Sequence, residues 1–259
     1  MDNTRRDYPA VERMRRDAGA ESGGRCRPRR HRGRWPWTFI LSVLFFASLP
    51  ALADDNPAFI HQDAFIAAHP DLYWRRQGVR NYVRERHAEA MKAFQRAAKY
   101  ADKPSQAMIA QMLWNGDSVT ADPVMAYAWA DLAAERGYPA FVATREKFWS
   151  ELDADQRRAA VTKGQAIFDE YADDVAKRRG DKALLLARRQ ITGSRTGHVG
   201  NLIVQQILPD GRRNDVLGPL YYADKYWAPD QYWQWQDSHW LPDPKEKVEV
   251  GPIQAPPGK

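Results

Sequence analysis

Residues 87–102, HAEAMKAFQRAAKYAD, and residues 123–138, PVMAYAWADLAAERGY, repeat one pattern at a shift of 36 positions. Alanines recur at matched places, and the large aromatic residue moves by one place, from Phe94 in the first copy to Trp129 in the second. Small residues let two helices approach closely, and a neighbouring aromatic side chain fills the groove between them. The repetition therefore predicts helix pairs that stack side by side.

The segment between and around the two copies matches a known repeat pattern. Residues 105–126, SQAMIAQMLWNGDSVTADPVMA, follow it without a gap, and upstream residues fit the related tetratricopeptide spacing. Over about residues 72–152 the chain thus resembles the Sel-one-like repeats, relatives of the tetratricopeptide repeats, in their exported bacterial form. The residues that carry the pattern are Trp74, Gly78, Ala90, Phe94, Ala97, Ala98, Gly116, Asp122, Ala126, Trp129, Ala133, Ala134 and Gly137.

The resemblance implies an all-α fold, a right-handed α–α solenoid of helix pairs, which we place in residues 54–190. Prolines at positions 70, 104, 123 and 139 suit the first turn of a helix, where the missing N–H costs nothing. Asp153 with Gln156 predicts a capping box that opens a long helix ending near residues 178–180. Since a short stack leaves both ends open, we expect this helix and the one before Pro70 to cap it.

Residues 191–244 lack the helical spacing and are predicted to form a small irregular or β-hairpin extension. Residues 201–208 are expected to form a strand, and residues 209–211, Pro-Asp-Gly, a turn toward a partner strand. Residues 245–259 are rich in Pro and Gly and are predicted to be disordered. The extension also holds eight closely spaced aromatic residues, namely Tyr221, Tyr222, Tyr226, Trp227, Tyr232, Trp233, Trp235 and Trp240.

These aromatic residues have two interpretations. In the first, they dock the extension onto the helices, and each Å² of apolar surface that they bury stabilises the fold by about 25 cal/mol. In the second, they stack on sugar rings or clamp an extended peptide. We favour docking and keep a binding role as the alternative. The candidate binding residues are Trp114, Tyr226, Trp227, Trp233 and Trp235. In the helical domain, Trp74, Trp114 and Trp129 are candidates for lining a concave groove, although core packing is favoured for them too.

The charge of the chain resides in its first part. Residues 1–53 hold 11 of the 39 basic residues and 5 of the 33 acidic ones, so residues 54–259 hold 28 of each and carry no net charge. A nucleic-acid partner recognised through overall basicity is therefore excluded.

The first 53 residues are typical of a secretion signal. Basic residues precede an uncharged run, residues 35–53, that ends in the small residues Ala51 and Ala53. We predict a signal peptide over residues 1–53, cleaved between Ala53 and Asp54, and a periplasmic or secreted protein. Two alternatives stay open: translation from Met14, and retention of residues 35–53 as an inner-membrane anchor. If residues 35–53 are retained, the protein contacts the membrane through this segment only.

The sequence holds no recognisable catalytic or metal motif after this leader. Its one cysteine, Cys26, lies within the leader, and the histidines show no metal-ligand spacing. The glycines near Gly197 lack the Lys-Ser/Thr ending of a phosphate loop. Asp169, Glu170, Asp173 and Asp174 are interpreted as a solvated helix face. We therefore predict no catalytic residue, no metal and no cofactor.

The sequence favours a non-enzymatic scaffold that holds an envelope protein or peptide of unknown identity, as the resemblance implies. One alternative is a cell-wall carbohydrate-binding protein that uses the C-terminal aromatics, which requires Trp227, Trp233 or Trp235 to be exposed. The other alternative is an envelope hydrolase, which requires a cleft that gathers two carboxylates or a histidine near Ser194.

Overall fold

The computed structural model describes residues 57–117, 120–192, 199–200, 202–207 and 211–241, which are mostly helical, as the all-α prediction requires. The helices are α1 (Asp63–Ala68), α2 (Pro70–Val83), α3 (His87–Ala98), α4 (Lys103–Asn115), α5 (Pro123–Ala133), α6 (Pro139–Glu151), α7 (Ala154–Tyr171), α8 (Asp173–Thr192), α9 (Gly218–Tyr221), α10 (Asp224–Trp227) and α11 (Pro229–Ser238). Two strands, β1 (Ile203–Ile207) and β2 (Arg213–Leu217), and two short 3-10 helices, Ala58–His61 and Ala134–Arg136, complete the described part. The predicted leader, with its cleavage site Ala53–Asp54, and the predicted disordered tail lie outside the described residues. No helix among those described is both long and apolar enough to span a bilayer.

The sequence signals for helix ends are confirmed. Prolines occupy the first or second position of α2, α4, α5 and α6. The Asp122 carboxylate accepts the backbone N–H of Met125 at 3.0 Å, and Asp153 and Gln156 form the predicted capping box. Gly116 and Gly137 end their helices with φ of +78° and +73°, a left-handed backbone that glycine adopts without strain.

The repeated small residues form the core between consecutive helices. Each helix packs against the next from α2 to α6, and α7 packs on α5. Helices α2 and α3 approach closely at Gly78, where an added Cβ would lie 2.4 Å from the Phe94 ring of α3. The repeat residues buried in this core are Ala90, Phe94, Ala97, Ala98, Ala126, Trp129, Ala133 and Ala134.

The prediction of a single helix from Ala154 to about residue 178 is wrong. The structure breaks it at Ala172, whose φ of −61° and ψ of 156° are extended, and a new helix begins at Asp173. The break has an identifiable cause, because the backbone N–H of Asp173 donates to the Glu135 carboxylate at 3.1 Å and cannot continue α7. The second helix then runs to Thr192 rather than ending near residue 180.

The C-terminal segment contains helices that the sequence analysis did not predict. β1 and β2 pair antiparallel, with Ile203 opposite Leu217 and Val204 opposite Val216, and residues 208–210 between them are not among those described. From residue 218 the chain is helical, in place of the irregular extension expected there. Pro229 opens α11, whose buried face includes Tyr232 and Gln236, four positions apart on one side of a helix. In the sequence, the many aromatic residues of this segment obscure its helical spacing.

Residues on both sides of the predicted boundary at position 190 share one hydrophobic cluster. Phe59 and Phe65, before α2, pack edge-on against Tyr226, with ring centroids 5.4 Å and 5.6 Å apart. The ring nitrogens of buried His69 lie 2.7 Å and 2.9 Å from the carbonyl oxygens of Phe65 and Tyr226. The C-terminal segment therefore folds back and covers the N-terminal helices.

The Gly78–Phe94 contact generates a test of the packing. Gly78→Ala is expected to lower the free energy of unfolding by about 1–3 kcal/mol, because the methyl group overlaps the Phe94 ring. Urea denaturation of Gly78→Ala, Phe94→Leu and the double variant measures this loss in the free energy of unfolding. If the substitution costs as much in the Phe94→Leu background as in the wild type, the ring does not set the helix spacing.

Candidate functional site

Among the described residues, a group of charged side chains surrounds the buried side chain of Lys103, the first residue of α4. Its ammonium group contacts the Glu135 carboxylate at 2.6 Å and the Asp173 carboxylate at 3.0 Å. It also donates to the side-chain oxygen of Gln106 and the carbonyl oxygen of Leu132, both at 3.1 Å. The side chain of Lys103 is fully buried, so these acceptors replace its water shell.

Arg136 extends this cluster toward the C-terminal helix α11. Its guanidinium binds Asp173 through two nitrogens, at 2.6 Å and 3.0 Å, and contacts Asp237 at 3.2 Å. The hydroxyl of Tyr138 also donates to Asp237, and the carbonyl oxygen of Ala101 accepts from Arg136 at 2.9 Å. We call Lys103, Glu135, Arg136, Asp173 and Asp237 the charge cluster.

The electrostatics of the charge cluster favour its ionised form. Burial by itself would raise the pKa of the Asp173 carboxyl, but Lys103 and Arg136 outweigh burial and hold that pKa well below its ordinary value. Burial lowers the pKa of Arg136, but the hydrogen bonds and charge of Asp173 raise it further than burial lowers it. The guanidinium and the carboxylate are thus held as an ion pair.

A second polar group lies beside the charge cluster. The Tyr232 hydroxyl donates to buried Asp71, and Arg75 contacts Asp102 at 3.3 Å. Asp102 also accepts the backbone N–H of Ser105 at 3.1 Å and so caps α4. Burial raises the pKa of Asp102 despite the neighbouring arginine.

The space between the two groups is small. Asp71, Asp102 and Lys103 face Arg136, Tyr138 and Gln236 across a cavity of about 10 Å³. This volume admits about one water molecule and no organic substrate. The carboxylate oxygens of Asp173 are already bound by Lys103, Arg136 and Lys177, so they do not face an open site. The arrangement supports a joint between helices rather than a catalytic centre.

The structure places the candidate binding residues mostly in the interior. Tyr226 and Trp227 are fully buried, and Trp233 is 7% exposed. The indole N–H of Trp227 donates to the carbonyl oxygen of Tyr221 at 2.6 Å, and that of Trp233 to Asp181 at 2.7 Å. Buried, hydrogen-bonded indoles of this kind dock the segment and offer no face to a sugar.

Two other candidates keep partial exposure. Trp235 is half-buried against the Tyr226 ring, at 5.0 Å between centroids. Trp114 is half-buried and stacks on Phe148, with centroids 3.9 Å apart and the ring planes 6° from parallel. Among the repeat residues, Trp74 is half-buried beneath the Arg96 guanidinium.

The interpretation of the acidic residues near position 170 as a solvated face is wrong for Asp173. Its side chain is 16% exposed and binds the cations of the charge cluster. The reason is that Asp173 begins a new helix and faces inward, as Ala172 turns the chain. Asp169 and Glu170, the last acidic residues of α7, are exposed as expected.

Sequence reasoning missed the charge cluster altogether. Its members are separated along the chain by 32 positions between Lys103 and Glu135 and by 101 positions between Arg136 and Asp237. The nearest sequence signal is the pair Glu135-Arg136, which directly follows the small residues of α5. The described residues hold no group of three or more His, Asp or Glu side chains arranged for a metal ion.

Comparison of the chain with protein-family models, with curated proteins and with solved structures finds no match. The resemblance to the Sel-one-like repeats therefore remains a prediction from the quoted residues.

Removal of the central cation tests the structural role of the charge cluster. Lys103→Met is expected to lower the free energy of unfolding by about 3–5 kcal/mol, because Glu135 and Asp173 stay buried without their ammonium partner. The matched control is Lys177→Met, which removes a partly exposed partner of the same Asp173 and is expected to cost less than about 1 kcal/mol. If both variants lose the same free energy of unfolding in urea denaturation, the buried ion pairs of Lys103 stabilise the fold no more than the partly exposed ion pair of Lys177.

The depressed pKa of Asp173 predicts a pH dependence. The folded protein binds fewer protons at this carboxyl than the unfolded chain, so its stabilisation is complete above about pH 5 and is lost as the pH falls toward the depressed pKa. Asp173→Asn is therefore expected to lower the melting temperature more at about pH 6 than at about pH 3. Exposed Asp230→Asn serves as control. A constant deficit at both pH values would contradict the assignment.

Proposed function

We propose that this chain is an exported, non-enzymatic scaffold of stacked helix pairs, related to the Sel-one-like repeats, that binds a protein or peptide of the cell envelope. The observation that carries the proposal is the equivalence of α3 and α5. Both are the second helix of a pair, and both bury the same alanine positions. The matched pairs are Ala90 with Ala126, Ala97 with Ala133, and Ala98 with Ala134.

The order of the helices supports a stack that contains two packed pairs, α2 with α3 and α4 with α5, followed by α6 and α7, which both pack on α5. The first helices of both pairs, α2 and α4, begin with proline in the first turn, as do α5 and α6. The two helices within each pair are in extensive contact, and α3 of the first pair packs on α4 of the second. Stacks of fewer than about three repeats need caps, which the helices on either side of the two pairs would supply.

The first helices of the pairs provide the surface that we assign to a partner. In a curved stack these helices line the concave side, which receives an extended segment or a helix. Trp74 of α2 and Trp114 of α4 are half-buried, whereas Trp129 of α5 is 5% exposed and packs on Tyr171. Half-exposed indoles combine apolar area with an N–H donor, which suits peptide recognition.

Neither alternative gains support from the geometry. The carbohydrate hypothesis requires exposed C-terminal aromatics, but Trp227 and Trp233 are buried. The hydrolase hypothesis requires a cleft that gathers two carboxylates or a histidine near Ser194. Asp71 and Asp102 do line a common cavity, but its volume of about 10 Å³ admits about one water molecule and no organic substrate, and Ser194 lies outside the described residues. The scaffold proposal needs no such site, since a binding surface is carried by the exposed helix faces.

Site-specific photo-crosslinking tests the scaffold proposal. A photoreactive residue replaces Gln77 or Gln111, which lie three positions from Trp74 and Trp114 on the same helix faces. In an envelope extract, residues 54–259 are expected to form one defined protein adduct from both positions, identified by mass spectrometry. The control position is Lys163, exposed on α7. The proposal fails if neither position gives a protein adduct, or if Lys163 gives the same adducts as Gln77 and Gln111.

A further inference from the structure

The strand β1 has a hydrogen-bonding edge that faces away from β2. The backbone N–H of Gly218 donates to the carbonyl oxygen of Leu202, so these two residues form a hydrogen-bonded pair at the end of the antiparallel ladder. Such pairs alternate along an antiparallel ladder, which directs the N–H and C=O groups of residues 203, 205 and 207 away from β2. Within the described part of the chain, β2 is the only strand that pairs with β1. The outward edge is therefore open to a further strand.

The sequence of β1 lacks the features that keep an edge strand from pairing. Edge strands are ordinarily protected by charged side chains, by proline or by a bulge. β1 reads IVQQI, and residues 201–208 contain no charge and no proline. All five residues of β1 pair one to one with β2, so no bulge interrupts the described ladder. β2 reads RNDVL, and its exposed Arg213 and Asp215 protect its own outer edge.

The side chains beside the open edge are exposed and largely aliphatic. Successive side chains of a strand point to opposite sides, and Val216 points inward, where it is 7% exposed in the cluster around Phe59. The opposite side of the hairpin carries Ile203 and Ile207 of β1, which are 52% and 79% exposed. Leu217, opposite Ile203 in β2, is 65% exposed. A further strand along β1 would cover part of this aliphatic surface.

The order of the residues along β1 matches a second copy of the same strand. When two β1 strands pair antiparallel about a twofold axis at Gln205, Ile203 of each copy lies opposite Ile207 of the other, and the two Gln205 side chains face each other. The outward backbone groups of residues 203, 205 and 207 then pair with one another through about six hydrogen bonds. An axis at Val204 would instead place isoleucine opposite Gln205. The twofold axis at Gln205 therefore pairs like residues with like.

Charge distinguishes the two edges for a pair of identical chains. Two β2 edges paired in the same way would bring the two Asp215 carboxylates opposite each other, and like charges directly opposite are destabilising. They would also place Arg213 opposite Leu217. No charge of β1 opposes the pairing of two β1 edges. The edge of β1 is thus the one compatible with its own copy.

We propose that the chain forms a twofold dimer through β1, in which the two hairpins make one four-stranded antiparallel sheet. The paired isoleucines lie on the outer side of this sheet, and Leu217 of each copy continues the apolar surface. The dimer goes beyond the scaffold proposal, because the hairpin lies outside the helix pairs assigned to the protein partner. It presents two copies of that binding surface, which strengthens the binding of a partner with two matching segments.

Disulfide trapping in the full chain tests the axis, with Cys26→Ser in every variant so that no native cysteine interferes. Gln205→Cys is expected to form a disulfide-linked homodimer under copper-catalysed air oxidation. Residues paired at the axis have Cα atoms about 5.5 Å apart, a spacing that suits a disulfide. The control is Asp215→Cys, opposite Gln205 in β2, whose two copies lie about three strand spacings apart, roughly 14 Å, and are expected to stay unlinked.

The register is tested by producing Ile203→Cys and Ile207→Cys chains together, each with its own tag. We expect the two chains to be linked to each other and not to themselves. The proposal is overturned if Ile203→Cys links to itself better than to Ile207→Cys, or if Asp215→Cys links as readily as Gln205→Cys. It is also overturned if Gln205→Cys is linked only to another protein, which would make the edge a site for a foreign segment.

Sedimentation velocity measures the dimer without cross-links. The wild type is expected to be dimeric, and Gln205→Lys is expected to raise the dissociation constant about tenfold or more, because two like charges meet at the axis. The matched control Asp215→Lys places the same side chain on β2 and is expected to leave the dissociation constant close to that of the wild type. A wild type that is monomeric at every concentration, assemblies that grow beyond the dimer, or equal weakening by both variants overturns the proposal. Melting temperatures show that each variant is folded.

Discussion

The ammonium group of Lys103 is removed from water, and the surrounding elements are arranged to replace its solvation. An unpaired buried cation costs several kcal/mol, so the fold is stable only if acceptors arrive from other parts of the chain. Glu135 comes from the 3-10 helix after α5, and Asp173 comes from the first turn of α8. One charge at the start of α4 therefore fixes the end of α5 and the start of α8 at the same time.

The position of α8 in turn determines how the C-terminal segment packs. Gly180 of α8 leaves room for the ring of Trp233, since an added Cβ would lie 2.8 Å from it. Arg136 forms an ion pair with Asp237 near one end of α11, and the Tyr232 hydroxyl of the same helix donates a hydrogen bond to Asp71. With α11 fixed at both points, α9 and α10 cover the aromatic rings before α2. The last helices of the chain therefore close the fold over the helices that precede α2.

Local features were predictable from the sequence, and long-range ones were not. Proline, capping and glycine signals act within one or two helical turns, so the starts at Pro123 and Pro139 and the box at Asp153 follow directly from the residues. The repeated alanines and aromatics gave the helix pairs and the buried positions of their core. The break at Ala172 depends on Glu135, 38 positions from the Asp173 N–H it binds, and no periodicity contains such a contact. The charge cluster was missed for the same reason, because a charge that pairs in space looks in sequence like any solvated charge.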